Sequence, residues 1–270
     1  MIDLHTHLHP PRLFAAIRRW FAERSSWKLD HQPLEPADVA AILRANGVER
    51  FVFCSYAHKT EMARELNAWL AQTSRDLGGY GLPLATVHLD DPGYLEDLEL
   101  ALADGCVGLK IHENVQRLNV EDERFTPVFE RLTEGGFVLA HVGPIPWSED
   151  FDAPSRVARV LERHPRLRFV VAHMGGAIAP GYIALLDRYP NLYLDTTMAF
   201  AAGSPMRIEI AVSLVEKYAR RIVYGTDFPN IPYPYDDEIR ALDALGLSTA
   251  ARNAIVRENA LTLIGAKGAT

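Results

Sequence analysis

The chain has 270 residues, of which 48% are hydrophobic and 23% are charged. These values exclude a disordered chain, and the length suits a single α/β barrel, which commonly needs about 250 residues. A formal net charge of −7 with scattered arginines disfavours nucleic acid as a partner. Because no run approaches the about 18 apolar residues of a membrane span and the first residues lack a signal-peptide pattern, we expect a cytoplasmic protein without a membrane partner.

Short apolar runs recur eight times along the chain, and each is nearly continuous. Such runs are typical of strands buried on both faces of a parallel sheet. They are Met1–Leu4, Phe51–Cys54, Leu82–Val87, Val107–Ile111, Phe137–Ala140, Phe169–Ala172, Leu192–Leu194 and Ile222–Tyr224. Cys54 and Cys106 lie at predicted strands, so we expect two small buried residues and no disulfide.

Amphipathic patterns between these runs predict helices. The clearest cover Thr60–Leu77, Asp122–Glu134, Ser155–Arg163, Met206–Tyr218 and Thr249–Ile264. Strand alternating with helix eight times predicts a (β/α)8 TIM barrel, and no change of composition marks a second domain. We therefore expect one domain over residues 1–270.

A long connection, residues 8–35, follows the first predicted strand. It contains a predicted helix, Leu13–Glu23, and the aromatic residues Phe14, Trp20, Phe21 and Trp27. An insert after a barrel strand lies at the end of the barrel where active sites are built. Three interpretations stay open: an aromatic lid or wall of the active-site pocket, packing on the barrel rim, or a contact between subunits.

Titratable side chains stand at the carboxyl ends of all eight predicted strands. They are His5, His7, His58, His88, Lys110, His112, His141, His173, Asp195 and Asp227. In a barrel these ends converge on one mouth. Acid–base and metal chemistry both need several such groups held close together, so the mouth is the predicted active site.

The pair His5 and His7 favours a metal ion, because side chains at i and i+2 of a strand point to the same side. His141 is the natural third nitrogen ligand from across the barrel, and Asp227 is the natural oxygen ligand. Three imidazoles and one carboxylate suit zinc best, with manganese as an alternative. One divalent ion so held keeps a net charge of +1 and activates a bound water.

Five motifs occur in order along the predicted strands and are recognisable together. They are Asp3-Leu4-His5-Thr6-His7, Gly108-Leu109-Lys110-Ile111-His112, Ala140-His141-Val142-Gly143, Ala172-His173-Met174-Gly175-Gly176 and Gly225-Thr226-Asp227-Phe228-Pro229. The chain resembles the amidohydrolase superfamily and, more narrowly, its amidohydrolase-2 group of metal-dependent TIM-barrel hydrolases and decarboxylases. The resemblance extends from Ile2 to Gly265.

The resemblance implies roles for these residues. His5, His7 and His141 match the nitrogen ligands, and Asp227 matches the aspartate that binds metal and shuttles the proton of water. His173 matches a histidine that polarises substrate or moves protons, so Asp227 and His173 are the predicted catalytic residues. A carboxylated Lys110 would bridge two metal ions, but a free ammonium that binds an anionic substrate is the favoured interpretation.

Further residues are predicted around the substrate. His112, Trp20 and Trp147 are candidate substrate-binding residues with Lys110, and Asp195 is expected to orient a metal ligand. For His58 and His88, a role in the site and ordinary polar packing near the mouth are equally favoured. The remaining histidines are expected to be exposed: His9, His31 and His164.

The first functional hypothesis is a hydrolase that attacks an ester, lactone or amide carbonyl through a metal-activated water. The alternative is a non-oxidative decarboxylase of a small unsaturated or aromatic acid, which would use the same residues. Phosphoesterase chemistry and a metal-free binding protein are lesser alternatives. The expected partner is a small-molecule substrate, and a homo-oligomer such as a dimer is possible for this group.

Overall fold

A computed structural model describes residues 1–24, 27–29, 35–144, 150 and 152–265. Two of the residues singled out above, His31 and Trp147, lie outside these described residues. No helix among the described residues is long and apolar enough to cross a membrane.

Eight parallel strands form the centre of the molecule. They are β1 (Ile2–His7), β2 (Arg50–Cys54), β3 (Gly81–Pro83), β4 (Leu109–His112), β5 (Val138–His141), β6 (Phe169–Val171), β7 (Leu192–Asp195) and β8 (Ile222–Val223). Ladders join β1 to β3 and β4 to β8 in sequence order. Backbone hydrogen bonds link the two groups on both sides, from Ala85 N to Gly108 O (2.8 Å) and from Leu4 N to Tyr224 O (2.9 Å). The predicted TIM barrel is thereby confirmed.

The barrel interior explains why the apolar runs are continuous. Inward residues such as Leu4, Val52, Leu139 and Val170 form one buried cluster, which the last helix (Asn259–Ile264) closes at the amino-terminal end of the barrel. Their outward neighbours on β4 to β8 belong to a second cluster beneath the surrounding helices, and those on β2 belong to a third. Because both faces of each strand are buried, almost no polar residue interrupts the runs.

A β-bulge in β1 decides where the histidine pair points. Between Asp3 and Thr6, β1 advances three residues while its partner β2 advances two, from Phe51 to Phe53. The extra residue shifts the alternation of side chains by one. Leu4 can therefore lie in the barrel interior while His5 and His7 also face inward, one layer nearer the mouth.

Twelve helices surround the barrel in the described residues. They are α1 (Pro11–Arg24), α2 (Pro36–Ala45), α3 (Ala63–Asp76), α4 (Tyr94–Ala103), α5 (Glu113–Gln116), α6 (Thr126–Leu132), α7 (Ala153–Arg163), α8 (Ala179–Leu185), α9 (Val212–Lys217), α10 (Asp236–Asp243), α11 (Thr249–Asn253) and α12 (Asn259–Ile264). A π-helical segment, Ala254–Glu258, joins α11 to α12, so the last predicted helix is continuous. The predicted helix Met206–Tyr218 is wrong in its first half, because Ile208 N bonds to Ala199 O and holds that segment against the barrel mouth.

Candidate metal centre at the barrel mouth

Three ligand atoms converge where β1 meets the chain after β8. His5 Nε2 lies 3.3 Å from His7 Nε2, and Asp227 Oδ1 lies 3.2 Å from the former and 3.0 Å from the latter. Both histidines are buried, and Asp227 is 7% exposed. The close approach requires glycine at position 225, since a Cβ there would lie 2.8 Å from the Cβ of His5.

These separations fit a divalent ion. Ligands that each lie about 2.1 Å from one ion, at tetrahedral or octahedral angles, are about 3.0–3.4 Å apart. His5, His7 and Asp227 therefore form a site of suitable size, with two nitrogens and one carboxylate oxygen. Burial raises the pKa of Asp227 to about 6, although His5 and Lys110 oppose this rise.

Asp195 fixes the orientation of His5. Its Oδ2 lies 2.8 Å from His5 Nδ1, while its Oδ1 accepts hydrogen bonds from the backbone N–H groups of His173 (2.7 Å) and Thr197 (3.1 Å) and from the Thr197 hydroxyl. Burial alone would raise the pKa of Asp195, but His5 and these donors hold it below its ordinary value. An ionised Asp195 keeps the proton of His5 on Nδ1, which leaves the Nε2 lone pair for a metal.

Lys110 enters the site from β4. It is 1% exposed, and its Nζ lies 2.8 Å from His5 Nε2. The ammonium therefore takes the same lone pair that a metal ion would use. An ion at this position would require Lys110 to withdraw from His5, and the lysine would then lie beside the ion.

His173 is held by Thr197. Its Nδ1 lies 3.0 Å from Thr197 Oγ1 and 3.3 Å from Thr197 O. The hydroxyl gives its hydrogen to Asp195, so both atoms are acceptors for His173, and Nδ1 carries the proton. The Nε2 lone pair then remains free. The geometry therefore favours His173 as a proton acceptor over a donor to a developing oxyanion.

His141 and His112 lie on the opposite side of the mouth. Their rings stack with centroids 4.3 Å apart, and His141 lies 4.8 Å from the ring of His173. Among the described residues, no hydrogen bond joins His141 to His5, His7 or Asp227. The structure thus brings His141 into the same cavity but not into the converging trio, and its role as a ligand stays a prediction.

Burial favours the neutral form of four histidines at the mouth. It lowers the pKa of His141 to about 3, and it lowers the pKa values of His7, His112 and His173 well below the ordinary value. Neutral imidazole is the form that binds metal ions.

Cys54 forms a candidate metal-binding cluster with His5 and His7, since one ligand atom of each lies within 4.8 Å of the others. Its Sγ, however, is nearer to His7 Nδ1 (3.5 Å) than to Nε2 (3.9 Å), and Nε2 is the atom that faces Asp227. The sulfur therefore lies beside the imidazole ring, away from its Nε2 lone pair, and it donates to Thr6 O. Both cysteines are free and buried, as predicted.

A cavity of about 780 Å³ opens above the converging trio. Helix α1 of the insert forms part of its wall through Ile17, Trp20 and Phe21, and Trp27 follows them. Trp20 is 37% exposed, so it stands at the edge of the cavity. The described residues of the insert agree with an aromatic wall of the site and also with packing on the barrel, because Phe14 and Trp27 belong to one buried cluster with Phe51 and Phe53.

The rim of the cavity is positively charged. Lys59 and Arg117 both line it, and neither forms an ion pair among the described residues. Asp90, which also lines the cavity, is paired with Arg124. The free charge at the rim is therefore cationic. His58 lies on the same rim, and His88 is buried in the wall.

Two functional candidates were missed or misjudged from the sequence. His9, expected to be exposed, is 3% exposed and lines the cavity, and the every-second-residue spacing of His5, His7 and His9 was the available signal. Asp3 lies beneath the site, where its carboxylate accepts from the Thr226 hydroxyl (2.7 Å) and tethers β1 to the chain that carries Asp227. His164, also expected to be exposed, is half-buried at the end of α7, where its ring packs against Phe129.

Nearly the whole chain matches a known protein family. A family model described as amidohydrolase matches residues 2–266. Similar solved structures include an uncharacterized TIM-barrel protein of Bordetella bronchiseptica, with a TM-score of 0.76, 20% identity, and coverage of 99% of this chain and 100% of that one. A putative 2-pyrone-4,6-dicarboxylic acid hydrolase of Pseudomonas putida has a TM-score of 0.68, 20% identity, and coverage of 98% and 97%. A 4-oxalomesaconate hydratase of Rhodopseudomonas palustris has a TM-score of 0.67, 17% identity, and coverage of 98% and 95%.

At these identities the solved structures establish the fold alone, and no curated protein matches the sequence. The family model is decisive, because it covers nearly the whole chain and includes every motif at the barrel mouth. The chain therefore belongs to the amidohydrolase family.

Proposed function

We propose that this protein is a metal-dependent hydrolase of a small carbonyl compound that carries at least one carboxylate. The observation that supports this most directly is the convergence of His5 Nε2, His7 Nε2 and Asp227 Oδ1 within 3.0–3.3 Å at the barrel mouth. A buried group of this kind, open to a cavity, is costly to maintain without a ligand.

His5, His7 and Asp227 would hold one divalent ion, with His141 as a further ligand. Two or three nitrogens with one carboxylate suit zinc, and manganese is the alternative. When bound, such an ion polarises a carbonyl oxygen and lowers the pKa of a water to about 7.

The chain's own residues supply the proton transfers. Asp227 is a buried carboxylate beside the converging nitrogens and can accept a proton from the attacking water. His173, with its proton fixed on Nδ1 by Thr197, offers a second acceptor at Nε2. Lys110 supplies the positive charge that stabilises a negative group of the substrate or of the transition state.

The form of the cavity supports a flat, acidic substrate. Lys59 and Arg117 leave unpaired positive charge at the rim, while Trp20 and Phe21 offer an aromatic wall. Two of the similar solved structures carry names of 2-pyrone-4,6-dicarboxylic acid hydrolases, whose named substrate is a flat lactone with two carboxylates. Lactones of unsaturated dicarboxylic acids are therefore the first compounds to assay.

The test is metal content per chain, measured by elemental analysis on protein purified without chelator or added metal. About one divalent ion is expected, lost in His7→Ala and kept in Asp187→Asn, a control at an exposed aspartate that pairs with Lys217. About two ions would indicate a carboxylated Lys110. No metal in the unaltered protein, together with no ring opening of the lactones, would refute the proposal.

The same assays distinguish decarboxylation. Oxygen from labelled water enters the product of a hydrolase, whereas release of carbon dioxide without labelled oxygen in the product would assign the site to the decarboxylase alternative. Both outcomes keep the metal site and differ in the bond that breaks.

A further inference from the structure

The wall of the cavity carries several buried polar atoms that have no hydrogen-bond partner among the described residues. They are His9 Nε2, His88 Nδ1, His112 Nδ1, Asn114 Oδ1 and Asn230 Oδ1. Buried polar atoms are almost always paired, so these atoms need partners inside the cavity, and a polar ligand that enters it can supply them.

His9 is the most strongly positioned of these. It continues the alternation of β1, is 3% exposed, and stacks on His7 with ring centroids 5.3 Å apart and planes at 20°. The ring of Phe14, in the insert, also packs against it, with centroids 5.5 Å apart. The ring of His9 is thus held between a candidate metal ligand and the insert, and it has little freedom to turn.

Ser55 determines which nitrogen of His9 carries the hydrogen. Its Oγ lies 2.8 Å from His9 Nδ1, and Ser55 is fully buried. If Nδ1 donated to Oγ, the hydroxyl hydrogen would have no acceptor among the described residues. If the hydroxyl donates to Nδ1, both atoms are satisfied, so Nε2 carries the hydrogen.

We propose that His9 is a substrate-binding residue whose Nε2–H donates a hydrogen bond to a carbonyl or carboxylate oxygen of the ligand in the cavity, and that Ser55 is the positioning residue that fixes this tautomer. The inference rests on the proposed function only for the kind of ligand. The direction of the hydrogen bond follows from the Ser55 contact alone.

The position of His9 makes it a determinant of specificity. Its ring is stacked on His7, so an oxygen bound at Nε2 belongs to a part of the substrate close to the converging trio. Lys59 and Arg117 lie at the rim and attract negative charge from a distance. His9 instead selects a molecule by the place of one acceptor oxygen.

The first experiment determines the tautomer without any substrate or metal. Long-range proton–nitrogen correlation spectra of the ¹⁵N-labelled chain distinguish a protonated from a bare imidazole nitrogen, and His9→Phe identifies the signals of His9 by their loss. A hydrogen on Nε2 is expected, and its partial transfer to Nδ1 in Ser55→Ala. A bare Nε2 in the unaltered protein would overturn the proposal.

The second experiment measures binding of isophthalate, a flat dicarboxylate without a hydrolysable bond. His9→Phe keeps the ring that stacks on His7 and removes the donor, so the dissociation constant is expected to rise about tenfold to a hundredfold, as for a lost hydrogen bond to a charged acceptor. His9→Gln, which retains a donor, should recover part of the affinity, and His164→Phe should leave it unchanged.

The outcomes separate the two proposals. Unchanged isophthalate binding in a folded His9→Phe protein would refute the role of His9, whatever the metal content. If His9→Phe loses affinity for isophthalate and the unaltered protein contains no metal, the role of His9 is supported and only the hydrolase proposal is contradicted.

Discussion

Replacing Asp195 by asparagine should weaken metal binding although Asp195 lies outside the converging trio. The carboxylate accepts four hydrogen bonds: one from His5 on Oδ2, and three on Oδ1 from His173 N and from the backbone and hydroxyl of Thr197. An amide has one acceptor oxygen in place of two. The asparagine side chain of Asp195→Asn cannot satisfy both sides of this arrangement in either orientation.

If the amide oxygen keeps the three donors, its NH₂ group faces His5 Nδ1. His5 must then carry its proton on Nε2, and the lone pair that points toward His7 and Asp227 disappears. If the amide turns by 180°, its NH₂ group faces the three donors of His173 and Thr197, none of which can accept its hydrogens. Removing such an outer partner of a metal-binding histidine costs about tenfold to a hundredfold in affinity, or about 1.4–2.7 kcal/mol.

The measurement is competition for zinc against a chromophoric chelator, with circular dichroism to confirm that the variant is folded. Asp187→Asn, which removes an exposed carboxylate paired with Lys217, is the matched control and should bind zinc normally. A folded Asp195→Asn protein with unaltered zinc affinity would refute the argument that this hydrogen bond sets the tautomer of His5.

Three further substitutions test the packing and the charges around the site. Cys54→Ala should retain its metal ion in elemental analysis, whereas His7→Ala should lose it, because the sulfur lies beside the ring of His7. Loss of the ion from Cys54→Ala would show that the sulfur is a ligand. Gly225→Ala should lower the free energy of unfolding by about 1–3 kcal/mol in urea titrations, because the added Cβ would lie 2.8 Å from the Cβ of His5. An unchanged midpoint of urea unfolding would contradict this close packing. Burial raises the pKa of Glu238 to about 8, so the folded chain holds this proton more tightly and stability should fall by up to about 1.4 kcal/mol per unit as pH rises from 5 to 8. Glu238→Gln should remove this contribution to the slope of the free energy of unfolding against pH. A steeper slope in the variant would show that the pKa of Glu238 is not raised in the folded chain.

The barrel and most of its mouth could be predicted because the signals are local. A strand buried on both faces gives a short apolar run, and the titratable residue that ends the run marks the rim. The pair His5 and His7 was found in this way. The reason that they face inward together with Leu4 could not be found, because the bulge in β1 is visible only in its pairing with β2.

The role of His9 depends on contacts that the sequence pattern does not reveal. The spacing of His5, His7 and His9 suggests that His9 faces the cavity, but it does not show that Phe14 packs against the ring or that Ser55 lies beside Nδ1. Likewise, the pattern from Met206 suggests a helix, but tertiary pairing with Ala199 prevents the first turns. In both cases, the contacts that decide the local structure are not visible in the sequence pattern of the segment itself.

The charges of the site connect the metal ion with the nature of the substrate. One lysine ammonium, Lys110, and two carboxylates, Asp195 and Asp227, are buried together around His5. Adding a divalent ion to these charges would give a net charge of about +1 in a buried site, where an unbalanced charge is costly. A neutral substrate would leave that charge in place, whereas a carboxylate would neutralise it. A divalent ion bound beside the buried lysine would therefore favour an acidic substrate before any contact at the rim is made.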